Sequence, residues 1–185
     1  MSLDHALLGF LSEAPNTGYE LKKRFDASVR HFWPADRTHI YRALSVLAER
    51  GLARVEVVAQ DGKPNQKRYS ITDSGKRELS EWLKRGLPAP EVREATLIQV
   101  FFGHLLPDGE ATRLLEQQAR ALNELLTALQ SIQPGARSTS GRRSARQRFF
   151  ERLTLEHGIA MVEAELGFLS GAVKRLAQQR KAGWR

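Results

Sequence analysis

Cysteine is absent from the 185-residue chain. That absence excludes disulfide frameworks, thiolate zinc sites and cysteine nucleophiles together, and it fits a reducing compartment. Long hydrophobic runs are missing too. The most apolar stretch, Leu97 to Leu106, is interrupted by Gln99 and His104 and reaches about half the length of a membrane span. The first five residues, Met1-Ser2-Leu3-Asp4-His5, lack the positive charge that opens a secretory leader. A cytoplasmic protein with no membrane partner is expected. Catalytic patterns are equally scarce. His5, His31, His39, His104 and His157 never fall at metal-ligand spacing, and no glycine loop suits a phosphate. Neither a Gly-x-Ser-x-Gly elbow nor a paired-carboxylate pattern occurs. No enzyme, metal or cofactor is expected.

What the chain does have is positive charge. Lys and Arg number 29 against 21 Asp and Glu, a net +8, which favours a polyanion as partner. The excess is shared evenly between residues 1–85 and 86–185, at +4 each, so net charge alone does not identify the binding half. Hydrophobic residues at 41% suffice for a buried core.

Gly86-Leu87-Pro88-Ala89-Pro90 stops any helix and places a domain boundary. Domains are expected at 1–86 and 87–185, in a mainly α protein. Leu3, Ala6, Leu7, Phe10 and Leu11 fall at helical spacing over 3–12. Thr17 is placed to cap a second helix holding Leu21 and Phe25, with Lys22, Lys23 and Arg24 between them. Asp36 or Thr38 opens a third, whose inward stripe is Ile40, Leu44, Leu47 and Ala48, and Gly51 ends it. Alternation over Ala53–Val58, a polar tip at 61–66 and a run over Lys67–Thr72 read as a two-stranded hairpin. Thr72 or Asp73 caps a fourth helix to about Arg85, with Leu79, Trp82 and Leu83 inward. The remainder reads as helices over 91–106, 108–131 and 144–181, the middle one with leucines on a wide face.

Three helices followed by a two-stranded β wing form the winged helix-turn-helix plan. The third helix is held by one apolar face, so its opposite face is free to enter a major groove. That face offers Arg37, Thr38, His39, Tyr41, Arg42 and Ser45, which donate to phosphates and base edges. Lys63, Lys67 and Arg68 lie in the wing, placed to grip backbone or minor groove. The plain alternative is solvated surface charge on an ordinary small domain. A protein-interaction module built on a winged helix, without operator specificity, also stays open.

Gly18-Tyr19-Glu20-Leu21, Ile40-Tyr41-Arg42-Ala43-Leu44 with Leu47 and Gly51-Leu52, Gly62-Lys63-Pro64, Lys67-Arg68-Tyr69-Ser70-Ile71-Thr72 and Gly75 together resemble the PadR-like transcriptional regulators. Thr154-Leu155-Glu156-His157-Gly158 and Glu165 resemble the last helix of the longer members. The resemblance implies a homodimeric regulator, here read as a repressor on double-stranded operator DNA, that a small and often aromatic ligand releases. It places Tyr19, Thr38, Tyr41, Arg42 and the basic hairpin at the DNA surface, and Lys22 is taken with them. Tyr19 is open to a second reading as a packed core tyrosine. The family often has tryptophan where this chain has Phe168.

Apolar positions in excess of what one small domain covers, namely Leu97, Val100, Phe101, Leu155, Ile159, Val162 and Leu166, are expected at the dimer interface. Trp82, Phe101, Phe102 and Phe149 are candidates for an effector cavity, or are plain core. Arg137, Arg142, Arg143, Arg146, Arg148 and Arg152 read as a solvated loop and helix start, or as an auxiliary site for phosphate or an acidic ligand.

Overall fold

The computed structural model describes residues 2–59, 65–86, 94–132 and 144–184. Two compact units divide them, 2–86 in the first and 94–132 with 144–184 in the second. The architecture is mostly helical with one small antiparallel sheet.

In the first unit the order is α1 (Ser2–Glu13), β1 (Asn16–Thr17), α2 (Gly18–Ser28), α3 (Arg37–Glu49), β2 (Ala53–Val58), β3 (Gln66–Ile71) and α4 (Asp73–Lys84). Local chemistry sets the helix starts. Thr17 caps α2 in a reciprocal box: its Oγ1 accepts from the Glu20 amide, and Glu20 Oε2 accepts from the Thr17 amide at 2.8 Å. Thr72 Oγ1 accepts from the Gly75 amide and starts α4. Gly51, in the left-handed region at φ +66, ends α3. The core is Leu7, Leu8, Leu21, Phe25, Ile40, Leu44 and Leu47, all fully buried.

The sheet has three strands, not two, in the order β1-β3-β2. Asn16 and Thr17 pair with Tyr69 and Arg68, and two residues are too few to show a period in the sequence. Val55 opposes Tyr69 and Ala53 opposes Ile71 on the hairpin, which turns Tyr69 into the core. Two other expectations shift. Leu83 is exposed at the far end of α4, while Leu79 and Trp82 are half-buried. Arg24 is buried: it donates to the Phe10 carbonyl, pairs with Glu13 and lies over the Phe10 ring.

The second unit holds α5 (Ala95–Phe101), a 3-10 turn (Gly103–Leu105), α6 (Asp108–Gln130) and α7 (Ala145–Ala182). A single helix over 91–106 is not formed in the described part. Gly103 supplies no side chain to hold a further turn and Pro107 follows, so the segment tightens into i→i+3 bonds from Leu105 and Leu106. Ser144 caps α7, accepting from the Gln147 amide. Helices α6 and α7 pack along one stripe, Leu129 with Leu155 and Val162, supported by Leu122, Leu126, Ile159 and Leu166. The residues expected between protomers at Leu155, Ile159, Val162 and Leu166 are therefore covered by α6 of their own chain. Of the other three expected there, Leu97 and Phe101 are exposed and Val100 is half-buried; Ile98 on α5 and Phe149, Phe150, Leu153, Met161 and Phe168 on α7 are exposed as well.

Candidate nucleic-acid interface

Helix α3 is fixed at its start by Asp36, whose Oδ1 accepts from the His39 amide at 2.8 Å. That hydrogen bond, aided by the charge of the neighbouring imidazole, holds the Asp36 carboxyl below the ordinary carboxylate value. His39 Nδ1 also lies 3.1 Å from Asp36 Oδ1, so the imidazole is engaged at the cap. The apolar stripe Ile40, Ala43, Leu44 and Leu47 locks α3 to the core. Its back is therefore presented outward. Arg37, Thr38, Arg42 and Ser45 are exposed there, and with Tyr41 they line one open concavity of about 430 Å³. Among the described residues no carboxylate lies within ion-pair distance of Arg37 or Arg42.

Tyr41 is half-buried. Its ring sits against the bare backbone of Gly18, where an added Cβ would come within 2.7 Å of Tyr41 Cζ. The Arg37 guanidinium lies over that ring, 5.4 Å from its centroid. Ser45 Oγ donates to the Tyr41 carbonyl at 3.2 Å.

A second cleft, of about 450 Å³, lies between the start of α2 and β3 and is lined by Tyr19, Glu20, Lys23, Gln66 and Arg68. Tyr19 is 66% exposed, which rules out the core reading. Lys22 is not in this cleft; it is half-buried and pairs with Asp26 one turn on. Lys67 is exposed and Arg68 half-buried on β3, while Lys63 lies outside the described residues. Lys23 belongs to the cleft and was missed. Its signal was in the sequence, because Tyr19 and Lys23 are four residues apart and share a helix face. The two clefts together present Arg37, Arg42, Lys23 and Arg68 as cations, beside hydroxyls on Thr38 and Tyr19 and the Ser45 oxygen, whose proton is given to the Tyr41 carbonyl. That chemistry suits phosphate and base edges.

Comparison with known proteins agrees with this geometry. Residues 7–81 match the transcriptional regulator PadR-like family and residues 92–177 match the virulence activator alpha C-terminal family. PadR of Bacillus subtilis, a negative transcriptional regulator, is 33% identical over 129 residues, covering 69% of this chain and 71% of that protein. The chain belongs to the PadR-like family of transcriptional regulators. A probable transcriptional regulator of Mycobacterium tuberculosis is 44% identical over 87 residues, 47% of this chain. That match spans only 46% of the mycobacterial relative's own length. Among solved structures, B. subtilis PadR in complex with operator DNA aligns with a TM-score of 0.82 at 28% identity, over 95% of this chain and 99% of that one. Its complex with p-coumaric acid aligns at 0.77 and 26% identity, over 95% of each chain.

The aromatic residues considered for an effector do not gather within either unit of this PadR-like protein. Trp82 stacks on His5, 4.6 Å between centroids and 9° from parallel, and His5 Nε2 lies 3.2 Å from Glu78 Oε1. Phe101 lines a mostly apolar cavity of about 540 Å³ in the second unit, with Leu106, Leu114, Leu115, Leu176 and Trp184. Phe102 and Phe149 do not line it. Phe102 packs edge-on against Phe101, and Phe149 against Phe150. Trp184 was missed; its indole Nε1 lies 3.4 Å from Asp108 Oδ2 and brings the end of α7 to the start of α6. Of the basic segment, Arg146 lies over the Phe150 ring, and Arg137, Arg142 and Arg143 lie outside the described residues. No helix among the described residues is long and apolar enough to cross a membrane.

Proposed function

We propose that this PadR-like protein is a cytoplasmic, sequence-specific repressor that binds an inverted-repeat operator as a homodimer. The first domain, residues 1–86, binds DNA; the second, residues 87–185, dimerises. The observation that carries the reading is the outward face of α3, where Arg37, Thr38, Arg42 and Ser45 are exposed and both guanidinium groups lack a carboxylate partner among the described residues. A solvated surface helix offers its cations i,i+3 or i,i+4 carboxylates, as α4 does with Lys76–Asp73 and Lys84–Glu81. The carboxylate beside Arg37 in sequence, Asp36, is engaged in capping α3. The B. subtilis PadR–operator complex supports the assignment of DNA as the partner.

Selection of bound sequences from a randomised duplex library by the full chain tests this. The recovered sites should contain an inverted repeat with half-sites about 10 or 20 base pairs apart, one or two helical turns. Recovery of no common sequence, with only salt-labile binding, would favour a protein-interaction module instead.

A small aromatic effector belongs to the same reading. Its support is the p-coumaric acid complex of B. subtilis PadR and the apolar cavity beside Phe101 and Trp184. A phenolic acid that occupies this cavity should quench tryptophan fluorescence and release the operator at the same concentrations. Quenching without release would mean a pocket with no coupling to DNA.

A further inference from the structure

Arg37 and Arg42 both face outward on α3, but they are held differently. Arg42 has neither a carboxylate partner nor an aromatic ring recorded against it among the described residues. Arg37 lies over the ring of Tyr41, four residues on. That ring is itself seated on another helix. Gly18 at the start of α2 brings its backbone so close that a Cβ there would stand 2.7, 2.8 and 3.1 Å from Tyr41 Cζ, Cε1 and Oη.

We propose that Tyr41 is a positioning residue for base recognition: seated on the backbone of Gly18, its ring orients Arg37 and so sets the preference for the base pair met by the first turn of α3. The inference rests on the DNA-binding function above and adds how one arm of it is made specific. A long side chain free in solvent loses rotamer entropy when it docks, whereas one already resting on a ring loses less. A guanidinium over an exposed aromatic face is stabilised by an amount worth roughly 2- to 5-fold in a binding constant. The planar fork of arginine matches the O6 and N7 acceptors of guanine, so guanine is the base this arrangement suits. Because the ring rests on α2 while belonging to α3, the orientation of Arg37 is tied to the docking of those two helices.

The test uses full-length protein and a randomised duplex library, with Arg37→Ala, Arg37→Lys, Tyr41→Phe, Tyr41→Leu and Gly18→Ala beside the wild type. Base preference is read at each position, and folding is checked by circular dichroism. Arg37→Ala should flatten the guanine preference at one position per half-site, by roughly 5- to 150-fold, the range for a bidentate contact. Tyr41→Leu should weaken preference at that same position by about 2- to 5-fold, Tyr41→Phe should preserve it, and the double variant Arg37→Ala/Tyr41→Leu should be no flatter there than Arg37→Ala. Gly18→Ala, which displaces the ring, should resemble Tyr41→Leu. A uniform loss of affinity in Tyr41→Leu with base preferences unchanged would overturn the proposal. So would an unchanged profile for Arg37→Ala. Should Tyr41→Leu fail to fold, Arg37→Lys decides: it keeps the charge but not the fork, and full retention of the guanine preference would overturn the proposal. A wild-type protein that selects no sequence would overturn the DNA-binding function itself, a result separable from either failure above.

Discussion

At the residue scale, glycines in this chain carry opposite consequences according to what surrounds them. A Cβ at Gly75 would meet the Leu52 carbonyl oxygen at 2.1 Å, a backbone atom. Gly75→Ala must therefore separate α4 from the turn between α3 and β2, and urea unfolding should show a loss of about 1–3 kcal/mol. Gly9 lies inside α1 with nothing within 4 Å of its missing Cβ, so Gly9→Ala should stabilise by roughly 0.5–1 kcal/mol. Burial raises the Tyr69 phenol above its ordinary value of 10.0, with a smaller push from Tyr41. The fold therefore favours protonated Tyr69. Its contribution to stability is complete below pH 10 and is lost as pH rises through the raised folded value. An alkaline absorbance titration should find Tyr69 ionising late, together with unfolding. Asp36 behaves in the opposite sense: its depressed carboxyl supports α3 above the ordinary carboxylate value, and that support is lost as pH falls through the lower folded value. Arg24 shows the limit of reading residues locally. A run of three cations looks solvated in sequence, yet Arg24 turns inward to Glu13 and Phe10, partners on another helix that no local spacing reveals.

At the scale of elements, what could be read was what is decided within a few residues. The caps at Thr17, Asp36 and Thr72 and the stop at Gly51 follow from short-range hydrogen bonding and backbone geometry, and the inward stripe of α3 follows from helical spacing. Thr17→Ala should cost about 1 kcal/mol in unfolding experiments, because it removes one arm of the capping box. Elements decided by distant partners were not legible. Strand β1 exists only because Asn16 and Thr17 meet β3. The stripe Leu155, Ile159, Val162 and Leu166 looked surplus to one chain because nothing in a sequence says that α6 folds back over it. Leu129 is at the centre of that contact and is 4% exposed. Leu129→Ala should cost about 2–5 kcal/mol, read as a lower melting temperature of the second unit. At the outward surface of α3 the exposed residues were legible from periodicity. The seating of the Tyr41 ring on Gly18, beneath Arg37, was not, since that contact joins two helices.

At the scale of the whole molecule, the exposed apolar residues of α5 and α7 belong to the second unit, and the exposed cations of α3 and the α2–β3 cleft belong to the first. Covering the former by a second copy would give a two-fold assembly, and a stable interface of that kind buries roughly 1,600 Å². Sedimentation should find a dimer at tens of micromolar; a monomer would remove the two-fold operator from the account. The central claim is that the outward face of α3 reads DNA sequence, and Arg42 is its least encumbered reader. The most direct measurement is the affinity of wild type and Arg42→Ala for the selected operator and for a scrambled duplex, at one fixed salt concentration. The account predicts that Arg42→Ala loses about 1–3 kcal/mol on the operator and much less on the scrambled duplex. Equal affinity of the two proteins for the operator, or an equal loss on both duplexes, would contradict it.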